Sequence, residues 1–454
     1  MQTLALDWIA CQNVPGSSLI GNKIKGKIMT CKDWIPALYG KDPLEQAKQK
    51  QRFENLDHLF KKNFREEAVY WFSTPGRSEI GGNHTDHNHG RVLAASINLD
   101  AIAAVNITKE NKITVFSKGY PNPFVIDLAD LSPKSGEKGT TTALIRGIAA
   151  RFKELGFEIG GFNAFVDSWV LPGSGLSSSA TIEVLIGTIL NHLYNQGKIK
   201  PEIIAQIGQY AENNYFGKPC GLMDQMACAI GGMLFIDFEN PQKPKFKSLP
   251  IDLKKFNYSL LVVNTGGSHA DLTEDYASIP DEMKQVARFF GKDYLRQVDL
   301  NEFLSQIPNL HQKVSDRALL RAYHFLHENE RVWHQFSALQ SNDFEKFLDL
   351  INESGDSSFK WLQNIFTTKM PEAQSLSLAL ALSENFIKNS GQGACRVHGG
   401  GFAGTIQVFL PNEAINSYRT LIEPVFGKDS VSVLQIRSVG SVCLNDFLDN
   451  LEDL

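Results

Sequence analysis

The sequence predicts a two-domain protein that mixes helices and strands, of the α/β or α+β class. Three observations carry this. A length of 454 residues suits two domains of ordinary size. Hydrophobic residues at 43% and charged residues at 21% are ordinary globular fractions and leave no room for a fibrous or disordered chain. Short Ile/Val-rich runs mix along the chain with segments of helical period.

In order along the chain, residues 1–45, with Pro15-Gly16 and a GNKIKGK run, read as an N-terminal extension of undisclosed role. The opening MQTLALDWIACQNVPG has no basic start and no sustained apolar core, so it does not read as a secretory signal. Strands are expected at INLDAIAAVNI (97–107), KITVF (112–116) and YSLLVVN (258–264), each bounded by turn residues. Ile182, Leu185, Ile186, Ile189, Leu190 and Leu193 recur at spacings of three and four, which predicts a helix after residue 180. The segment NPQKPKFKSLP (240–250) reads as a crossing between domains. The expected domains are therefore 46–250 and 251–454.

Composition narrows the function. A net charge of -5 without a Lys/Arg-rich block argues against nucleic acid as a partner. No run of about eighteen apolar residues occurs, so no ordinary membrane span is expected. Six cysteines scattered without CxxC pairing favour reduced thiols and a cytoplasmic location.

Two stretches carry chemistry. Residues 172–180 read PGSGLSSSA and lead into the predicted helix. Glycines admit close backbone approach, serines supply hydroxyls, and a helix start offers unpaired N–H groups to an anion. Gly173, Ser174, Gly175, Leu176, Ser177, Ser178, Ser179 and Ala180 are thus candidates to cradle a polyphosphate. The plain alternative is a glycine-rich turn in which Ser179 or a neighbour caps the helix. Neither the Walker A nor the Rossmann pattern is present. Residues 76–90 read GRSEIGGNHTDHNHG, whose crowded His84, Asp86, His87 and His89 could line a polar pocket or supply metal ligands.

LPGSGLSSSA resembles the central motif of the GHMP small-molecule kinases, and GRSEIGGNHTDHNHG resembles the galactokinase signature, typically GRxNxIGEHTDYxxG. ENNYFGKPCGLMDQMACAIGG (212–232) is similar to the galactokinase segment containing CGxMDQ, and VHGGGFAGTIQVF (397–409) to the glycine-rich third motif. The resemblance runs from about residue 70 to about residue 410. It implies the α+β two-domain GHMP kinase fold, with an S5-like N-terminal nucleotide-binding domain and a GHMP C-terminal α/β domain, after the N-terminal extension. It also implies ATP and Mg2+ as cofactors, a small-molecule sugar as substrate, and phosphorylation at the anomeric hydroxyl. A monomer is the favoured assembly.

The resemblance assigns roles residue by residue. Ser179 and Glu212 would hold magnesium. Asp224 would face the anomeric hydroxyl with Arg77 beside it, either taking its proton or only aligning it. Asn83, His84, Asp86 and Tyr276 would contact the sugar, Asp86 being the natural partner for an axial hydroxyl. HTDHNH then becomes sugar-pocket wall rather than metal cage. The sequence departs from the signature where Asn83 replaces a glutamate that contacts the C6 hydroxyl and His87 replaces a tyrosine. Ala403 stands where glycine is usual, and ASIPDEM follows Tyr276 where arginines are usual. Galactose is the expected substrate. Galacturonate is the alternative, since an amide can donate to a carboxylate. Other readings are a silent sugar sensor and a metal-dependent hydrolase using the histidine cluster.

Overall fold

The computed structural model describes residues 34–170, 175–266 and 272–446, so Gly173, Ser174 and most of the N-terminal extension lie outside the described residues. Two sheets organise the chain. The first contains β1 (Tyr70–Gly81), β2 (Arg91–Ile107), β3 (Lys112–Ser117), β4 (Phe124–Asp127), β5 (Phe162–Ser168), β6 (Met233–Asp237) and β7 (Lys245–Leu249). The second contains β8 (Tyr258–Asn264), β9 (Ala394–His398), β10 (Thr405–Pro411) and β11 (Val431–Leu434), in the order β11-β8-β10-β9. A last strand, β12 (Val442–Cys443), returns to the first sheet beside β1. The described architecture is α+β, as the sequence predicts.

β2 is the spine of the first sheet. Along one side it pairs with β1; along the other, its start pairs with β6 and its end with β5. Its alternating side chains serve different cores, as the two-residue period of a strand requires. Ala101, Ala103 and Val105 pack beneath the helices Ser178–Asn195 and Met223–Ile230. Ile102 and Ala104 face the N-terminal helices Ile35–Tyr39 and Pro43–Phe64. Leu93, Ala95 and Ile97 join a core shared with the second sheet.

The segment 240–250 is more than a crossing. Residues 245–249 form β7, antiparallel to β6, because KFKSL alternates a half-buried phenylalanine with exposed polar residues. The stretch between Leu249 and Tyr258 then leads from the first sheet to the second. Among the described residues no helix is long and apolar enough to cross a membrane.

Candidate active site

Arg77 sits in β1 between two register shifts, one at Pro75/Arg77 and one at Glu79/Gly81. Such irregularities re-aim a strand's side chains. The guanidinium of Arg77 is buried and grips Asp224 with both arms: Nε donates to Oδ1 (2.6 Å) and Nη2 to Oδ2 (2.8 Å). Asp224 lies in the first turn of the helix Met223–Ile230. Burial pushes its carboxyl up, but the Arg77 guanidinium and the Ser177 hydroxyl outweigh that and hold it below the ordinary carboxylate range. It is therefore charged at neutral pH.

The glycine–serine loop closes on the same pair. Arg77 Nη1 donates to the Gly175 carbonyl (2.5 Å), and Ser177 Oγ donates to Asp224 Oδ2 (2.5 Å). Gly175 has φ +72, and a side chain there would collide with Thr405 Oγ1, so this close approach requires glycine. Ser177 holds a left-handed conformation, φ 64, which is costly for a residue with a Cβ. Its hydroxyl is committed to Asp224 and makes no cap bond to the helix it precedes. The plain alternative of a serine-capped turn is thus set aside, and the helix start lacks a side-chain cap. That leaves backbone N–H groups for an anion.

Beside this lies an oxygen cluster. Ser179 Oγ donates to Glu212 Oε1 (2.9 Å), and Lys218 Nζ is 3.7 Å from the same oxygen. Ser178 is half-buried at the helix start, while Leu176 and Ala180 are buried.

The histidines form a hydrogen-bonded chain. The Gly400 carbonyl can only accept, so His84 Nε2 carries a proton and donates to it (2.9 Å). Burial pushes the His84 imidazole down to about 4, so it is neutral and its Nδ1 accepts from His87 Nε2 (3.1 Å). His87 Nδ1 in turn accepts from Asn88 Nδ2 (3.0 Å). His89 stacks on Tyr294, ring centroids 3.6 Å apart. The rival reading of this run as a metal cage loses its ligands, because both nitrogens of His84 and His87 are engaged. Among the described residues, the potential ligands that do gather are His192, Cys443 and Asp446, outside this signature.

Asp86 is half-buried, its Oδ1 accepting from the His87 N–H (2.8 Å). Burial, with the charges of Asp224 and Glu79 nearby, pushes it up to about 7. It lies so close to Gly221 that any side chain at 221 would strike its carboxylate.

Like His84, two further expected sugar contacts, Asn83 and Tyr276, bond protein groups. Asn83 is fully buried. Its Nδ2 donates to Glu79 Oε1 (2.9 Å) and the Gly399 carbonyl (2.6 Å), while its Oδ1 accepts from Asn364 (2.8 Å) and Ser358 (3.2 Å). All its hydrogen-bonding capacity goes to the protein. The signature's Asn and Glu have exchanged places here as Glu79 and Asn83, and they bond each other; Arg396 pairs with Glu79. Tyr276 braces the third motif, its ring against Gly400 and its hydroxyl donating to the Gly401 carbonyl (2.8 Å). Ala403 is buried in a core with Phe402.

Sequence reasoning missed the bond from Ser177 to Asp224, the need for Gly221, and Lys218. Of these, the glycine inside CGLMDQ was the visible signal.

Comparison with known proteins follows this geometry. The model of the GHMP kinases N terminal domain matches residues 143–232, and that of the galactokinase galactose-binding signature matches residues 58–107. A galactokinase of Glaesserella parasuis is 31% identical over 374 residues, covering 82% of this chain and 93% of the relative. One from Clostridium tetani is 28% identical over 382 residues, with 82% and 93% covered. The crystal structure of Lactococcus lactis galactokinase complexed with galactose superposes with a TM-score of 0.75 at 24% identity, over 86% of this chain and 99% of that one. Methanococcus jannaschii mevalonate kinase gives a TM-score of 0.58 at 16% identity, over 82% and 99%. These superpositions show a shared fold.

Proposed function

The chain belongs to the galactokinase family, and from that premise we propose that it transfers the γ-phosphoryl group of ATP to the anomeric hydroxyl of galactose. The products are galactose 1-phosphate and ADP. The observation that carries the reading is the grip of Arg77 and Ser177 on Asp224 at the start of the phosphate-loop helix.

In the transfer, the C1 oxygen bonds to the γ-phosphorus, the bond from that phosphorus to the β,γ-bridging oxygen breaks, and the hydroxyl proton is released. Asp224, held charged, is a weak base. It accepts a hydrogen bond from the hydroxyl and aligns it for in-line attack, which suits a loose transition state. Arg77 fixes that carboxylate and places positive charge beside the transferring group. The uncapped helix start receives phosphate oxygens. Ser179 and Glu212 offer two hard oxygen ligands within hydrogen-bond distance of each other, a donor set that fits Mg2+. Bound with the nucleotide, that ion supplies charge neutralisation across the phosphates. Asp86 accepts from ring hydroxyls, and His84 and Tyr276 order the glycine-rich loop that flanks the sugar.

Charge pairing favours a neutral sugar. Arg77 faces Asp224, Arg396 faces Glu79, Arg321 faces Glu282 and Arg331 faces Glu328. A sugar carboxylate would find these guanidinium groups already engaged, and Asn83 has no donor left to offer it.

The test is ADP release with Mg-ATP on galactose, galacturonate, N-acetylgalactosamine, arabinose and glucose. Turnover should be dominated by galactose. A preference for galacturonate would overturn the charge argument, and sugar binding without ADP release would make the chain a sensor.

A further inference from the structure

Behind the Ser179–Glu212 pair lies a set of buried polar side chains that no step above uses. Glu183 follows Ser179 by four residues on the same helix, so the two project from one face. Gln225 follows Asp224 on the helix Met223–Ile230. Its Nε2 donates to Glu212 Oε2 (3.1 Å) and to Glu183 Oε2 (3.0 Å), one proton to each. Glu183 and Gln225 are completely buried and Glu212 nearly so. The amide's orientation follows from Glu212, because the reversed group would set a carbonyl oxygen against that carboxylate. Gly208 clamps the stack: a Cβ there would lie 3.1 Å from Glu183 Oε2 and 3.3 Å from Gln225 Cγ.

This arrangement is expensive. Glu183 Oε1 and Gln225 Oε1 are buried without a hydrogen-bond partner, and such groups cost more than apolar side chains of the same shape. A core position with no other duty would be filled more stably by Leu or Met.

We infer that Gln225 and Glu183 are positioning residues that fix the plane of the Glu212 carboxylate and thereby set the divalent-cation affinity of the nucleotide site. The inference rests on the reading that Ser179 and Glu212 hold that cation. Glu183 anchors the Gln225 amide from behind. Gln225 then ties back Glu212 Oε2, which leaves Oε1, beside the Ser179 hydroxyl, for the ion.

The test is calorimetric ADP binding as a function of Mg2+ concentration, compared across wild type, Glu212→Gln, Gln225→Met, Glu183→Met and Glu183→Gln. Outer partners of metal ligands are worth roughly tenfold to a hundredfold in metal affinity. Gln225→Met and Glu183→Met should therefore raise the half-saturating Mg2+ concentration by that factor and leave metal-free ADP affinity alone. Glu183→Gln keeps an acceptor oxygen and should recover most of what Glu183→Met loses. Gln225→Asn, whose amide falls short of both acids, must move in the same direction and serves if Gln225→Met does not fold. If Glu212→Gln abolishes the Mg2+ dependence while both Met variants keep the wild-type midpoint, the positioning role is overturned and the metal site stands. If Glu212→Gln leaves the midpoint unchanged, the metal reading falls and this inference with it.

Discussion

Asp224 accepts three hydrogen bonds from Arg77 and Ser177, and the near-isosteric Asn keeps one acceptor oxygen for them, so the exchange tests the charge that aligns the hydroxyl. Asp224→Asn should lower kcat by roughly 10²- to 10⁴-fold with an unchanged circular dichroism spectrum; wild-type turnover would remove it from the mechanism. Asp86 gives a pH signature. Its carboxyl titrates near 7 in the free protein, and ring hydroxyls bind the charged form. Protons therefore compete with sugar: kcat/KM for galactose should rise with pH up to about 7 and level off above it. Asp86→Asn should erase that limb, and an unchanged profile would assign it elsewhere. Asn83→Glu would bury a second carboxylate against Glu79, at a cost of about 1–3 kcal/mol or more. The double exchange Glu79→Asn with Asn83→Glu should recover much of it, read as non-additivity in denaturant midpoints. The sequence showed that Asn83 is unusual but not why, because its partners Glu79, Gly399, Ser358 and Asn364 are spread over more than three hundred residues of chain.

At the scale of elements, the phosphate-loop helix was legible because its apolar residues keep the helical period from Ile182 to Leu193. What its first turn does was less legible. A serine before a helix ordinarily caps it, yet Ser177 turns its hydroxyl to a residue 47 positions away. The loop before the helix Met223–Ile230 carries a comparable hidden constraint. Gly221→Ala would drive a methyl into the Asp86 carboxylate. It should raise KM for galactose while leaving KM for ATP near wild type, and an equal rise in both would mean that the loop, not Asp86, had moved. The histidine run was ambiguous for a plain reason: nothing in HTDHNH states that His84 donates to Gly400, across 316 residues.

For the whole molecule, the N-terminal helices share a core with the first sheet. Asp100, on β2, is fully buried and accepts from Arg52 Nη1 (2.6 Å), Arg437 Nη1 (3.0 Å), Tyr39 Oη (2.5 Å) and the Ser73 hydroxyl (2.5 Å). One carboxylate thus joins the N-terminal helices, the first sheet and the segment that returns from the second sheet. Asp100→Asn would leave two buried guanidinium groups short of a counter-charge and should cost about 3–5 kcal/mol in unfolding free energy; a loss below about 1 kcal/mol, the range of an exposed pair, would contradict this. Mixed strands and helices and four motifs in order were readable from the sequence. The docking of residues 34–64 was not, because Arg52 and Asp100 carry no pattern that announces a pair.

The central claim is transfer to the anomeric hydroxyl, and phosphorus NMR of the product formed from ATP and galactose tests it most directly. The account predicts one new sugar phosphate whose phosphorus couples to the anomeric proton. Coupling to the C6 methylene protons, or release of inorganic phosphate alone, would contradict it.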